Sequence, residues 1–513
     1  MKFLINPYLH FFISLLIGQT VSAQTHEVLN IREFSQLNAG KIISEYSEFL
    51  ALPNVAADPV NLKKNAAFIM KMMTNRGIKN VQLLEASTPE VPPTVYGEVI
   101  VPNATQTLVF YAHYDGQPVD PTQWAKGIEA FKPVLFSKAI HQGGIAIPFP
   151  TDGKYEDDWR IYARSASDDK AGVGTILNAY EALIKSGLIP GSNLKFFFEG
   201  EEEAGSTHLD EILEKYKPIL QSDLWVIADG PIHQSGRKQV VFGVRGNAGL
   251  NLTVYASKRP LHSGQYGNWA PNPAMMLARL LSGMKDENGR VTIEGFYDDV
   301  IALSPTERIA LQQVPSVDEK MKNELGISVV EIPGTSLSEA INLPSLNING
   351  IQSGNVGKMA TNQIPATASA VLDLRLVLGN DWQRQQQKVV NHIKNQGFYI
   401  TENEPTDEER KNYGKIIKVN LKQGYNAQRT TMDLPIVQKL VKALKTTTQE
   451  QVVLQPTMGG SLPLYLFEKY LNAKTITVPV VNHDNNQHAE NENIRVGNFF
   501  DGIETMGSLM LMK

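Results

Sequence analysis

Three short apolar runs, at residues 108–112, 194–198 and 224–228, each end on side chains able to bind a cation: His113, the acidic stretch 199–203, and Asp229. Runs of this length, with helical patterns between them, read as strands of a parallel α/β sheet covered on both faces. In such sheets functional groups gather at the carboxyl ends of the strands, so residues far apart in sequence converge. A fourth run at 475–481 precedes His488, and Asp168 stands where a helical pattern over 169–186 begins. His113, Asp168, Glu203, Asp229 and His488 together supply two imidazoles and three carboxylates. That nitrogen and oxygen set suits zinc, with manganese or cobalt as alternatives, and two ions sharing one carboxylate use all five.

The chain has 513 residues, a formal net charge of -5 and 42% hydrophobic content, which describes a globular protein of about three domains. No basic excess points to nucleic acid. Residues 1–23 carry Lys2, an apolar stretch through 11–17, and Val21-Ser22-Ala23 before Gln24, the pattern of a secretory signal peptide. The apolar part is short for a bilayer span and no later segment approaches that length, so no membrane association is expected after cleavage. Cysteine is absent, which excludes disulfides, thiolate metal sites and a lipidated cysteine. The mature protein is expected to be soluble and secreted or periplasmic.

Up to about residue 242 helical patterns alternate with apolar strands, the syntax of a doubly wound α/β domain. Beyond Gly246 the pattern changes. Leu250, Leu252 and Val254 alternate with polar or small residues, as do Leu372, Leu374 and Leu376, and one-sided antiparallel strands read that way. Helical stretches at 272–285 and 381–396 and a strand at 416–421 complete a split βαβ layer. The expected organisation is a signal peptide at 1–23, a first domain at 24–244 and 426–513, and an α+β domain inserted at 245–425.

Two residues apart on an extended chain, His113 and Asp115 point to the same side, so Asp115 can hold the imidazole from behind. Asp168 read alone is the N-cap of the following helix. The stretch 199–203 contains four glutamates, which repel one another unless cations neutralise them. Acidic runs are usually solvated faces, but this one follows a buried strand. Adjacent Glu202 and Glu203 cannot easily point at one atom, so one can bind metal while the other moves protons.

With these motifs the chain resembles the aminoacylase and carnosinase family of dinuclear zinc metallopeptidases, which includes dipeptidases, carboxypeptidase G and succinyl-diaminopimelate desuccinylase. The resemblance covers nearly the whole mature chain. It implies that the domain at 24–244 and 426–513 is the catalytic domain and that the insertion at 245–425 is a lid and dimerisation domain. The family's His-x-Asp matches His113 and Asp115, and its Ser/Ala-Asp-Asp-Lys-Gly matches residues 167–171. It implies that Asp168 bridges two Zn2+ and that the Asp168–Asp169 peptide is cis. Residues 199–206 match Glu-Gly-x-Glu-Glu-x-Gly-Ser, implying Glu202 as general base and Glu203 as ligand of one metal; Asp229 matches the ligand of the other. His488 begins the family's His-x-x-Asn-Glu, a context that His483 lacks. In the inserted domain His262 matches a His-Ser-Gly element that stabilises an oxyanion in the partner subunit, implying a homodimer. Arg375 matches an Arg-Leu-Val strand whose arginine holds a substrate carboxylate, although an ordinary strand position reads equally well. Gly460 and Ser461 match a substrate-lining Gly-Gly-Ser loop, whose amides can bind a carboxylate. Ser165 and Ala171 replace family glycines, and Met458 replaces a charged residue of the dipeptidases.

The resemblance implies a hydrolase that cleaves a peptide or amide bond of small peptides through zinc-activated water, and the pattern of residues 1–23 implies that it is exported. The alternatives are an N-acyl amino acid deacylase and, from another class, a non-catalytic peptide-binding protein. Glu202 discriminates, since binding alone does not require it.

Overall fold

The computed structural model describes residues 26–513, so the expected signal peptide lies outside the described residues. The chain forms two compact units. One runs to Phe242 and adds Thr430–Leu454 and Leu466–Lys513; the other comprises Gly243–Arg429 and Gln455–Tyr465. The segment Gln455–Tyr465, expected within the catalytic part at 426–513, belongs to the second unit. Backbone bonds tie it there: Met458 N donates to Gly243 O and Arg245 N to Gly460 O.

The first unit is built on an eight-stranded mixed sheet. Its centre is parallel, with Thr107–His113 between Asn193–Glu199 and Leu224–Ile227, and Thr475–Thr477 beside the latter. Thr94–Val99 pairs antiparallel on one side and Gln239–Val241 on the other. The central strands are buried along almost their whole length, which is why they read as unbroken apolar runs rather than alternating ones. The run expected at 475–481 is a strand only over Thr475–Thr477.

Helices Lys170–Lys185 and Val496–Met510 are buried over most of their surface and pack closely. Glycines allow the approach: a Cβ on Gly502 would come within 2.7 Å of Thr175 Cγ2, and one on Gly174 within 3.0 Å of the Phe499 ring. A second, four-stranded sheet of strands two or three residues long, drawn from Val134–Phe136, Ala146–Ile147, Arg160–Tyr162 and Asn493–Arg495, has no counterpart in the sequence reading. It covers a small cluster around Trp124, Phe136 and Tyr162. Strands this short carry no legible period.

The second unit contains a five-stranded sheet in the order Ser345–Gln352, Thr367–Leu376, Gly246–Tyr255, Ile416–Leu421, Tyr399–Thr401. All its pairs are antiparallel except the last, which is parallel. Leu250, Leu252 and Val254 face inward with Leu372 and Leu374 and meet Leu277 and Ile393 of helices Pro273–Ser282 and Trp382–Asn395. Burying each such side chain contributes about 1.5–3 kcal/mol. Asn272 and Asp381 accept backbone N–H bonds as N-caps, which starts the helices where the pattern begins. An excursion with helices Pro305–Gln312, Asp318–Leu325 and Leu337–Ala340 was not expected, although Ser304 with Glu307 and Ser336 with Glu339 form capping boxes. Among the described residues no helix is long and apolar enough to cross a membrane.

Candidate active site

The carboxyl ends of the parallel strands carry the candidate residues. His113 is the last residue of Thr107–His113, Asp229 lies two beyond Leu224–Ile227, and Glu202 and Glu203 occupy the turn after Asn193–Glu199. Asp168 precedes helix Lys170–Lys185, and His488 lies in the loop between Thr475–Thr477 and Asn493–Arg495. The structure brings these six residues together. Asp168 stands between the imidazoles, with Oδ1 3.0 Å from His113 Nε2 and Oδ2 3.0 Å from His488 Nε2. Glu203 Oε2 is 3.4 Å from His488 Nε2, and Glu202 Oε2 is 3.7 Å from His113 Nε2.

Two groups of donors emerge, His113 with Asp169 and Asp229, and Asp168 with Glu203 and His488; within each, the donor atoms lie within 4.8 Å of one another. Asp169 is already committed to the backbone, since its Oδ1 accepts from Gly172 N at 3.0 Å and its Oδ2 from His113 N at 3.2 Å. The N-cap weighed for Asp168 is therefore Asp169, which frees Asp168 to serve both groups. The peptide bond between them is cis, as the resemblance implies.

Asp115 holds more than the imidazole. Its Oδ1 lies 3.3 Å from His113 Nδ1, a separation at which the pair attracts although the angle falls short of a hydrogen bond. The same carboxylate accepts from Glu202 N at 3.1 Å and Glu203 N at 2.8 Å, so it orients the acidic turn as well. The four glutamates divide their tasks. Glu199 accepts from Tyr111 OH at 2.7 Å and Glu201 pairs with His208 Nδ1 at 2.8 Å, which leaves Glu202 and Glu203 to the cluster. Two amides went unnoticed in the sequence: Gln117 Nε2 donates to Glu203 Oε2 at 2.5 Å and Gln487 Nε2 to Asp168 Oδ2 at 3.3 Å. Their nearness to His113 and His488 is the one signal that could have found them.

Burial dominates the electrostatics. It pushes Glu203 up to about 7 and Asp229 up to about 6, and raises Glu202 as well. Burial opposes ionisation of Asp168 too, but hydrogen bonds with His113 and His488 hold it below the usual carboxylate range. The bond with Asp168 likewise pushes His488 up to about 9. Among the described residues no lysine or arginine forms an ion pair with Asp168, Glu202, Glu203 or Asp229. Clustered carboxylates with two imidazoles and no basic side chain suit divalent cations, and the donor spacing fits them.

The remaining candidates lie in the second unit. Arg375 donates from Nε to Asp373 at 2.9 Å and from Nη1 to Ser461 Oγ at 2.9 Å, so the strand and the Gly-Gly-Ser loop meet. Gly460 O accepts from Arg245 N. His262 ends the short strand Leu261–His262 and is exposed, with Nδ1 accepting from Gly264 N at 3.1 Å. An accepting Nδ1 leaves the proton of the neutral ring on Nε2. Of the departures, Ser165 has φ 58°, a glycine-like conformation, and its Oγ accepts from Asn54 Nδ2 at 2.9 Å.

Imidazoles and carboxylates gathered at the carboxyl ends of parallel strands define the class of metal-dependent hydrolases. Residues 109–512 match Peptidase family M20/M25/M40, and the chain belongs to that family, a family of peptidases. It is 24% identical over 481 residues to the Cys-Gly metallodipeptidase dug1 of Schizosaccharomyces pombe, covering 90% of this chain and 94% of the relative. To the human Beta-Ala-His dipeptidase it is 22% identical over 498 residues, covering 93% and 91%. Among solved structures, an M20 family metallo-carboxypeptidase from Sulfolobus solfataricus superposes with a TM-score of 0.73 at 27% identity, covering 92% of this chain and 98% of that one.

The loop that carries His488 is anchored by Arg160, whose Nη1 and Nη2 donate to Asp484 Oδ1 and Oδ2, both at 2.9 Å. Partial burial raises Asp484, but the hydrogen bonds from Arg160 and Asn482 outweigh it and hold the carboxyl well below its usual range. A depressed folded value means stability that is present above the unfolded value of about 3.9 and lost as the pH falls toward the folded one. Asp484→Asn is expected to cost about 1 kcal/mol at pH 7, modest because 26% of the side chain is exposed and water screens the pair. The gap from the unmutated protein should narrow below pH 4 in thermal melts; a gap independent of pH would refute the assignment.

Proposed function

We propose that the chain is a dipeptidase that uses two divalent cations, zinc by the chemistry of the donors, to hydrolyse the peptide bond of small peptides. Its main support is the position of Asp168 between His113 and His488, one carboxylate within 3.0 Å of two imidazoles. The names of the relatives, a Cys-Gly metallodipeptidase and a Beta-Ala-His dipeptidase, favour dipeptides over longer substrates. In this reading His113 and Asp229 would hold one cation, Glu203 and His488 the other, and Asp168 would serve both. When bound, the cations polarise the scissile carbonyl and lower the pKa of water.

Glu202 is the general base. It lies beside the donors without being needed as one, and Asp115 fixes its backbone. Its carboxylate takes a proton from the attacking water and returns it to the leaving amine. Arg375, with Ser461 and the amide of Gly460, takes the carboxylate of the substrate, the guanidinium being steered by Asp373. Chelation is expected to abolish dipeptide hydrolysis and added zinc to restore it. Glu202→Gln should retain the metal and lose about 10²–10⁴-fold in kcat. Full turnover by metal-free protein, or by Glu202→Gln, would overturn the reading.

His262 stabilises the oxyanion through its Nε2 proton and does so in the site of a second copy, so the active species is a homodimer. Mixing inactive Glu202→Gln and His262→Ala subunits should then regenerate activity in the mixed dimer. Failure despite demonstrated subunit exchange would exclude action in trans.

Export belongs to the same proposal and rests on the sequence of residues 1–23. Amino-terminal sequencing of the mature protein should begin at Gln24, and a chain that retains Met1 would refute it.

A further inference from the structure

Behind the cluster lies a carboxylate that no cation can use. Glu492 is 1% exposed. Its Oε1 accepts from Ser167 N at 2.9 Å, Ser167 Oγ at 2.8 Å and Asp168 N at 2.9 Å; its Oε2 accepts from Arg164 Nη1 and Ser165 N, both at 2.9 Å. A carboxylate offers about four lone-pair sites, so five donors exhaust it. Its partner Arg164 is 3% exposed and makes two further bonds, from Nη1 to Ala489 O at 3.1 Å and from Nη2 to Pro118 O at 3.2 Å. The guanidinium also lies 5.6 Å from the centre of the Trp124 ring. One ion pair thus joins the loop after the His113 strand, the turn that ends in Asp168, and the backbone next to His488.

The donors of the cluster are not held alike. His113 is part of a central strand, and Asp229, two residues beyond another, follows Ala228, whose N–H donates to Tyr111 O at 2.9 Å, so the sheet holds the first and the neighbour of the second. Asp168 and His488, like Asp229, lie outside any strand or helix, but Glu492 bonds the Asp168 backbone directly and Arg164 bonds the carbonyl next to His488. His488 moreover has φ 62°, a left-handed conformation that a non-glycine residue keeps only where neighbours impose it.

We propose that the Arg164–Glu492 pair is the positioning device for Asp168 and His488, and that it sets the affinity of the Asp168, Glu203 and His488 donors for their cation, with a smaller effect on the ion of the His113 and Asp229 side, which depends on the pair only through the shared Asp168. The inference rests on the reading of the cluster as a two-cation site. In Glu492→Gln an amide NH2 meets backbone N–H donors, so the turn before Asp168 must shift. Arg164→Lys keeps the charge but cannot reach Glu492, Ala489 O and Pro118 O together. Ser167→Ala removes one donor only.

The test measures zinc bound per chain in purified protein dialysed against graded free zinc, together with the unfolding temperature of the metal-free forms. Unmutated protein should hold two ions. In Glu492→Gln the ion that His488→Ala weakens most should lose about 10–100-fold in affinity, the range for residues that support a ligand, and the other ion less. Arg164→Lys and Ser167→Ala should show smaller losses of the same ion, and they carry the comparison if Glu492→Gln does not fold. The double variant with His488→Ala should lose less than the product of the two single fold-losses, since both act on the same ion. Wild-type affinity for both ions in all three variants, or equal weakening of both ions alongside a lower unfolding temperature of the metal-free form, would overturn the proposal. An unmutated protein that binds no zinc would instead remove the two-cation reading on which it rests.

Discussion

Negative charge buried without a basic side chain to neutralise it is the constraint on which the catalytic unit depends. Asp115, Asp168, Asp169, Glu199, Glu202, Glu203 and Asp229 crowd around two imidazoles, and burial alone drives several of them toward the neutral form. The protein disposes of part of this charge internally. Backbone amides satisfy Asp115 and Asp169, and a tyrosine hydroxyl bonds one oxygen of Glu199. Asp168, Glu202, Glu203 and Asp229 remain, and these are the carboxylates a divalent cation would hold or that would work beside one.

Precision at the site comes from two unequal sources. Strands buried on both faces hold the residues at their ends through the ladder: His113 is in register with Glu199, and Asp229 follows Ala228, whose N–H donates to Tyr111 O. The loop from Asn482 to Asn493 has no such frame. It contains three non-glycine residues with positive φ, Asn486, His488 and Asn491, and is held by side chains: Arg160 on Asp484, Asn485 on Gln487 N, and Arg164 on Ala489 O. A cluster with one wall of sheet and one wall of loop can keep one set of donors fixed while the other depends on its supports.

Much of the fold was legible because it rests on local periodicity. The apolar runs at 108–112, 194–198 and 224–228 became the central strands, and the alternation at 250–254 and 372–376 became a sheet with one buried face. The helices near 273 and 382 begin where Asn272 and Asp381 cap them. Less was legible between 115 and 165, where strands of two or three residues are stabilised by a distant partner, Asn493–Arg495, rather than by any pattern of their own. The helical excursion after Ser304 carried capping boxes, but its helices run four to eight residues, too few for an apolar period to repeat.

The sequence by itself determined which chemical groups this protein has and at which ends of which elements they stand, because strand ends and helix caps are written in residues a few positions apart. Only the tertiary structure decided how those groups share the work. That Asp169 caps the helix while Asp168 faces two imidazoles, that Glu199 and Glu201 turn to Tyr111 and His208, and that Gln455–Tyr465 joins the second unit depend on contacts between residues close in space and not in pattern. A carboxylate has the same sequence signature whether an amide, a hydroxyl or an imidazole satisfies it, and the choice among them is made by packing.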